Sequence, residues 1–192
     1  MNNLLSIKAL AGLLLGASIL TSCEPESAMI QQESPEVGNF TASIDRNSLV
    51  GEWKVSTMEA DTLVDLNGDG TGNYNLLLET ACFDNMGVVF NDDGTLSTTN
   101  SKLDFRAGPN GDEFACTADR TDTGIWRVEG DELVMDLNID GNIYTNRKQI
   151  TQTETTFGFE VTKFESQQYV DDPGDTHASH IRILALEYTK VN

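Results

Sequence analysis

The sequence is poor in cations, cysteine and histidine. Its 192 residues hold 12 Lys and Arg against 31 Asp and Glu, a formal net charge of −19. A nucleic-acid-binding protein needs a cationic face for the phosphate backbone, so this composition argues against that class. Three cysteines and two histidines leave little material for a zinc site or a thiol active site. The length fits one ordinary domain with extensions, and 39% hydrophobic residues are enough to build its core.

Catalytic motifs are also missing. We find no nucleophile elbow, phosphate-cradling glycine loop, zinc-protease helix motif or dinucleotide fingerprint. His177 and His180 are three positions apart, which on a strand places them on opposite faces and argues against a shared metal. The acidic stretch 171–175 is predicted to be a solvated loop. We therefore do not expect an enzyme.

No apolar run is long enough to cross a bilayer as a helix. The uncharged stretch 9–23 has 15 residues, whereas about 20 are needed. It predicts a signal peptide over residues 1–22. The stretch ends in LTSC at 20–23, which resembles a bacterial lipobox and implies that Cys23 becomes a lipidated N-terminus. The alternative is an ordinary signal peptide whose Cys23 pairs with a downstream cysteine.

The next segment has a different composition. Residues 24–47 are rich in Glu, Ser, Gln, Pro and Asn and have few apolar residues. This composition predicts a flexible tether over 23–47 that carries the lipid and lifts the folded domain, 48–192, off a membrane surface. A loosely packed N-terminal arm is the alternative. The predicted location is the bacterial cell envelope, where the lipid anchors the protein to a membrane. The outer membrane is the preferred candidate.

In the domain itself, apolar and polar residues alternate with a period of two. In the first run, Trp53 and Val55 share one face and charged or polar residues the other, which is typical of a half-buried strand. Eight such runs occur, at 51–56, 86–91, 95–100, 122–128, 132–140, 142–150, 155–165 and 180–190. The stretch 74–81 is predicted to be a short helix or a buried loop, and 100–121 to be poor in strand.

The connections between these runs favour hairpins. The sequences NDDG at 91–94, EGD at 129–131 and DG at 140–141 supply residues that accept a positive φ. Consecutive short hairpins produce an up-and-down meander, and closing eight strands removes the exposed sheet edges. The prediction is an all-β protein, an eight-stranded antiparallel up-and-down barrel.

An ordered set of motifs resembles a known family. The set comprises a lipobox, a polar tether, Gly51-Glu52-Trp53, Cys82-x-Asp84-Asn85, VFNDDG at 89–94, a second cysteine, and Thr123-Gly124-Ile125-Trp126. It resembles the lipocalin-like domain of Bacteroidota lipoproteins, with Gly51-x-Trp53 as the lipocalin G-x-W motif. The resemblance covers about 49–191. It implies an eight-stranded barrel with a cavity for a small hydrophobic molecule.

The resemblance also suggests roles for particular residues. It implies that a cation from the last strand, Arg182 or Lys190, packs across the ring of Trp53. Trp53 and Trp126 have two interpretations, as walls of a ligand cavity or as large anchors at the base of a small barrel. The first functional hypothesis is an envelope lipoprotein that binds a small hydrophobic ligand. The alternative is a structural or interaction lipoprotein whose barrel is filled by its own side chains.

Two cysteines remain if Cys23 carries lipid. An exported compartment is oxidising, so Cys82 and Cys116 are predicted to form a disulfide. The alternative is two reduced thiols buried separately.

The stretch 65–73 matches the first half of a calcium loop. Asp65, Asn67 and Asp69 occupy loop positions 1, 3 and 5, and Gly70 follows at position 6. Position 12 is Leu76, where the motif requires a bidentate Glu. Weak calcium binding at Asp65, Asn67 and Asp69 is therefore one hypothesis, and a turn whose side chains cap their own backbone is the other.

Overall fold

The computed structural model describes residues 44–106, 113–172 and 180–192. The predicted signal peptide, Cys23 and the tether up to residue 43 lie outside the described residues. The strands are β1 (Gly51–Val64), β2 (Asn73–Asn75), β3 (Gly87–Phe90), β4 (Thr95–Arg106), β5 (Glu113–Glu129), β6 (Glu132–Ile139), β7 (Asn142–Gln149), β8 (Thr151–Gln152), β9 (Thr156–Glu160), β10 (Val170–Asp171) and β11 (Ile183–Lys190). The helices are α1 (Arg46–Leu49) and α2 (Lys163–Ser166), and two 3₁₀ turns lie at Leu76–Leu78 and Ala81–Phe83.

All these strands belong to one sheet. Its order is β7-β6-β5-β4-β3-β1-β11-β9-β8, while β2 pairs with β1 and β10 with β4. The ladders along the main path are antiparallel, as predicted. The sheet has eleven strands where eight were predicted, because three strands of only two or three residues join the eight long ones. One of these, β10, runs parallel to β4, with Val170 opposite Leu103.

The sheet curls back on itself in the way of an up-and-down barrel. Each long strand pairs with the next long strand along the chain from β1 to β7, and β1 also pairs with β11. Among the described residues no ladder joins β7 to β9, so the predicted closure by hydrogen bonds is incomplete there. We call this gap between β7 and β9 the seam. Side chains bridge it, because Lys148 of β7 reaches Glu165 of α2.

Two segments differ from their sequence-based predictions. The stretch 100–121 is not poor in strand, since β4 and β5 continue as a long hairpin whose register runs through Leu103 opposite Cys116. The strand predicted over 155–165 ends at Glu160, because Thr162 and Glu165 form a reciprocal capping box that starts α2.

The stretch 74–81, predicted to be a short helix or a buried loop, is not an α-helix. The chain forms β2 and the two 3₁₀ turns instead, where Asn75 and Thr80 cap the N-termini of the turns with their side chains. Three-residue 3₁₀ turns suit this stretch because capping side chains interrupt it before an α-helix can continue.

One continuous core fills the curled sheet. α1 packs at the end where β1 begins, and its Leu49 is fully buried. Toward the other end of β1, Leu76 and Phe83 of the 3₁₀ turns are also fully buried. Ile44, in the last part of the predicted tether, is buried in the same core. Among the described residues no helix is long and apolar enough to cross a membrane.

Candidate functional site

Trp53 anchors the end of the barrel that α1 covers. Its side chain is fully buried, and its Nε1 donates to the backbone O of Leu49 at 2.7 Å. The Nζ of Lys190 lies 5.1 Å from the centroid of the Trp53 ring and donates to the backbone O of Ser48 at 2.9 Å. Of the two cations considered from sequence, Lys190 therefore takes the position across Trp53. Gly51 has a φ of 131°, and a Cβ there would lie 3.1 Å from Lys190 Cε, so glycine suits this site.

Trp126 is a second anchor at the same end. Only 3% of it is exposed, its Nε1 donates to the backbone O of Asn91 at 2.9 Å, and its ring lies 4.8 Å from that of Phe90. Arg46 of α1 covers the ring, with Cζ 4.6 Å from its centroid. At Gly124 a Cβ would lie 2.1 Å from the backbone O of Asp136, so the neighbouring strand excludes a side chain. The burial of both tryptophans favours their interpretation as anchors over that as walls of a ligand cavity.

Aromatic side chains occupy the interior between these anchors. The ring of Phe157 lies 5.0 Å from Trp53, 6.0 Å from Phe90 and 4.8 Å from Tyr188. Burial raises the pKa of Tyr188 well above its ordinary value, and burial also raises the pKa of Tyr169. The barrel interior around Phe157 is therefore packed with aromatic side chains.

A groove opens beside the seam, on the outer face of the sheet. Its volume is about 1230 Å³. Thr57, Glu59, Ala185 and Glu187 line it and alternate along β1 and β11 with the buried side chains, which point to the interior. The other lining residues come from α1 and the two residues before it, the β5–β6 turn and the start of β6, the continuous stretch from β7 to β9, and β11: Ile44, Asp45, Ser48, Asp131, Glu132, Arg147, Lys148, Gln149, Ile150, Thr151, Gln152, Thr153, Glu154, Gly158, Phe159, Glu160 and Leu186. We call this site the seam groove.

The seam groove is acidic around a few apolar side chains. Seven carboxylates line it, against two cations. Both cations are already paired: Arg147 lies 2.8 Å from Glu129 and 3.1 Å from Glu132, and Lys148 lies 2.6 Å from Glu165. Hydrogen bonds to Glu129 and Glu132 raise the pKa of Arg147. The large apolar side chains that line it and remain partly exposed are Ile150 and Phe159, whereas Ile44 and Leu186 lie beneath it in the core.

The ion pair between Lys148 and Glu165 defines one wall of the seam. The Lys148 side chain is 8% exposed, and its Nζ also lies 5.1 Å from the centroid of Phe159. Burial raises the pKa of Glu165, but hydrogen bonds from Lys148 and Thr162 lower it by more, so the net shift is downward. This pair was not identified from sequence, because the T-x-x-E spacing indicates only the capping box of Thr162 with Glu165 and gives no sign of Lys148.

The predicted disulfide is confirmed. Cys82 and Cys116 are bonded, with their Cα atoms 5.6 Å apart. The bond joins the second 3₁₀ turn to β5.

The predicted calcium loop is a turn whose side chains bind their own backbone. Asp65 accepts from the N–H groups of Gly68 at 2.8 Å and Gly70 at 2.9 Å. Asn67 and Asp69 each accept from the N–H two residues ahead. Among the described residues no group of three or more His, Cys, Asp or Glu side chains is placed to hold a metal ion. Calcium at Asp65, Asn67 and Asp69 therefore stays a prediction from sequence.

The remaining sequence candidates add no site. His180 is exposed in a turn, and His177 lies outside the described residues. Asp171 pairs with Lys102 at 2.8 Å, and residues 173–175 of the acidic stretch lie outside the described residues.

Comparison with known proteins identifies the family. A family model for the lipocalin-like domain matches residues 49–159, which is more than half of the chain and runs from the G-x-W motif into β9. No curated protein and no solved structure matches the chain. With its curled antiparallel sheet and its buried first-strand tryptophan under a last-strand lysine, the chain belongs to the lipocalin-like domain family.

Proposed function

We propose that the protein is a membrane-anchored lipoprotein of the bacterial cell envelope that binds a small hydrophobic ligand in the seam groove. The observation that carries the binding proposal is the groove itself, about 1230 Å³ in volume, with apolar side chains among its polar ones. Ligand sites in proteins typically have volumes of about 300–1,000 Å³, so the groove is large enough for a small molecule, although its lining is more polar than that of most such sites. Because aromatic side chains fill the barrel interior around Phe157, we place the ligand in the groove and not inside the barrel.

The charges of the groove indicate the class of ligand. Its carboxylates outnumber its cations, and ion pairs with Glu129, Glu132 and Glu165 already neutralise the two cations. An anionic headgroup would meet this negative field without a free cation to pair with. The ligand class is therefore an apolar chain or ring with a neutral or cationic headgroup.

Two probes with the same tail test this proposal. Calorimetric titration of the full chain with dodecylamine and with lauric acid should show at least ~tenfold tighter binding of the amine. Ala185→Trp places a large side chain in the groove and should weaken amine binding by at least ~tenfold. Thr123→Trp is the matched control, because Thr123 is exposed on β5 and does not line the groove.

The outcomes separate two functions. Equal weakening by Ala185→Trp and Thr123→Trp would place binding outside the groove and contradict the proposal. Failure of both probes to bind would support the second candidate, an interaction lipoprotein whose barrel is filled by its own side chains. The specific observation in favour of that candidate is the contact of Phe157 with three aromatic rings inside the barrel.

The membrane anchor is supported by the sequence motif alone. The LTSC motif at 20–23 follows an uncharged apolar run, as in lipoproteins of the Bacteroidota type. Buried acyl chains contribute ~0.8 kcal/mol per methylene group, so a multiply acylated Cys23 holds a protein firmly to a bilayer. Cys23→Ser should move the protein from the membrane fraction to the aqueous fraction of cells, and Ser22→Ala should not. Retention of Cys23→Ser in membranes would show that the anchor assignment is wrong.

A further inference from the structure

The two end strands of the sheet are protected very differently. At one end, β8 has only two residues, and at the other β7 has eight. The ladder of β7 with β6 runs from Ile139 opposite Asn142 to Glu132 opposite Gln149 without a bulge. Proteins commonly protect an edge strand by shortness, bulges, proline or lysine, since its free N–H and C=O groups invite pairing. Residues 142–146 of β7 contain no proline or lysine and no bulge, and they belong to a long strand.

The turn before β7 determines which backbone groups face outward. Asp140 and Gly141 both have positive φ, 52° and 81°, which is the pattern of a two-residue type I′ hairpin. In such a hairpin the flanking residues Ile139 and Asn142 exchange both hydrogen bonds, and every second residue after Asn142 does the same with β6. Ile143 and Thr145 therefore direct their N–H and C=O groups away from β6. Within the described residues these groups have no backbone partner.

The free part of this edge is neutral and partly apolar. The segment 142–146 reads NIYTN and carries no charge, in a chain with a net charge of −19. Ile143 is 65% exposed and Tyr144 is 53% exposed, on opposite faces of the strand. The free edge ends there, because Lys148 is buried and bonded to Glu165 and to the backbone O of Glu160.

We propose that the segment 142–146 pairs with the same segment of a second copy of this chain, antiparallel about a two-fold axis through Tyr144. Ile143 then exchanges both backbone hydrogen bonds with Thr145 of the partner subunit, and Tyr144 faces Tyr144 of the partner subunit across a non-hydrogen-bonded position. This register places no charged residue opposite another within the segment. A second copy is the fitting occupant because the segment is self-complementary about this axis, and because a neutral strip lets two chains of the same net charge approach without opposing like charges within the ladder.

Sedimentation of the full chain over a range of concentrations tests the pairing. The parent protein should form dimers, and Ile143→Lys should raise the dimer dissociation constant by at least ~tenfold. Ile125→Lys is the matched control: Ile125 is 54% exposed, but it lies on β5 in the middle of the sheet and should leave dimerisation unchanged. Added salt should strengthen the dimer, because it screens the repulsion between two acidic subunits. A parent that stays monomeric, or equal effects of the two lysines, would overturn the proposal.

A cysteine at the two-fold axis tests the register. In a non-hydrogen-bonded antiparallel pair the Cα atoms are about 4.5 Å apart, within the range of about 4.4–6.8 Å that a disulfide bridges. In the full chain carrying Cys23→Ser, Tyr144→Cys should therefore form a covalent dimer on oxidation, and Thr123→Cys should not. Equal cross-linking of the two cysteines would show random collision and contradict the register.

Discussion

Trp53→Ala should unfold the protein or leave it barely stable. The indole is fully buried against Phe157, bonded to the backbone O of Leu49 and covered by Lys190. Truncation of a buried tryptophan costs ~3–5 kcal/mol, whereas a whole domain is held together by only ~5–15 kcal/mol. Thermal and urea unfolding of the variant and the parent measure the loss. Phe164→Ala is the control, because that ring is 78% exposed and its removal should change the free energy of unfolding little.

Trp126→Ala should behave in the same way. Trp126 is 3% exposed and packs between Phe90 and Arg46, so its loss also leaves a cavity. If either variant melts at the same temperature as the parent, that tryptophan is not an anchor. For Trp53, this result would also show that the G-x-W motif is not a sign of the fold in this chain.

Replacement of Cys82 and Cys116 together by serine should lower the free energy of unfolding by ~3–4 kcal/mol. The bond closes a loop with a sequence separation of 34, and its loss restores conformational freedom to the unfolded chain. The long β4–β5 hairpin should be the first part to unfold, because the bond ties β5 to the second 3₁₀ turn. Denaturant unfolding of the double variant measures the loss. Cys23→Ser, which leaves the bond intact, should unfold like the parent, and equal stability of both variants would contradict this prediction.

The long strands were predictable because their side chains alternate. In β6, Leu133 and Met135 are buried in the core, as the period of two implied, but Val134 on the opposite face is fully buried as well. The G-x-W motif likewise predicted a covered tryptophan, but the choice between Arg182 and Lys190 needed the register of β11 against β1. That register places Lys190 opposite Trp53.

Other features depend on contacts between distant parts of the chain. The parallel pairing of Val170 with Leu103 joins residues far apart in sequence and has no local pattern. The seam groove is similar, since its walls come from α1 and from strands that meet only after the sheet has curled. The ion pair of Lys148 with Glu165 is a third case, because a lysine in an otherwise polar strand gives no sign of burial. Local sequence thus predicted the elements better than their assembly.

The contacts of α1 have a mechanical consequence. Arg46 donates to the backbone O of Asp92 at 2.7 Å, Gln152 donates to the backbone O of Asp45 at 3.2 Å, and Lys190 holds the backbone O of Ser48. These bonds connect one turn of helix to the β3–β4 turn, to β8 and to β11. A pull applied at Ile44 is therefore shared among three separate parts of the sheet before it loads the hydrogen bonds of β1. Under tension applied at Ile44, α1 should therefore resist peeling of the first strand.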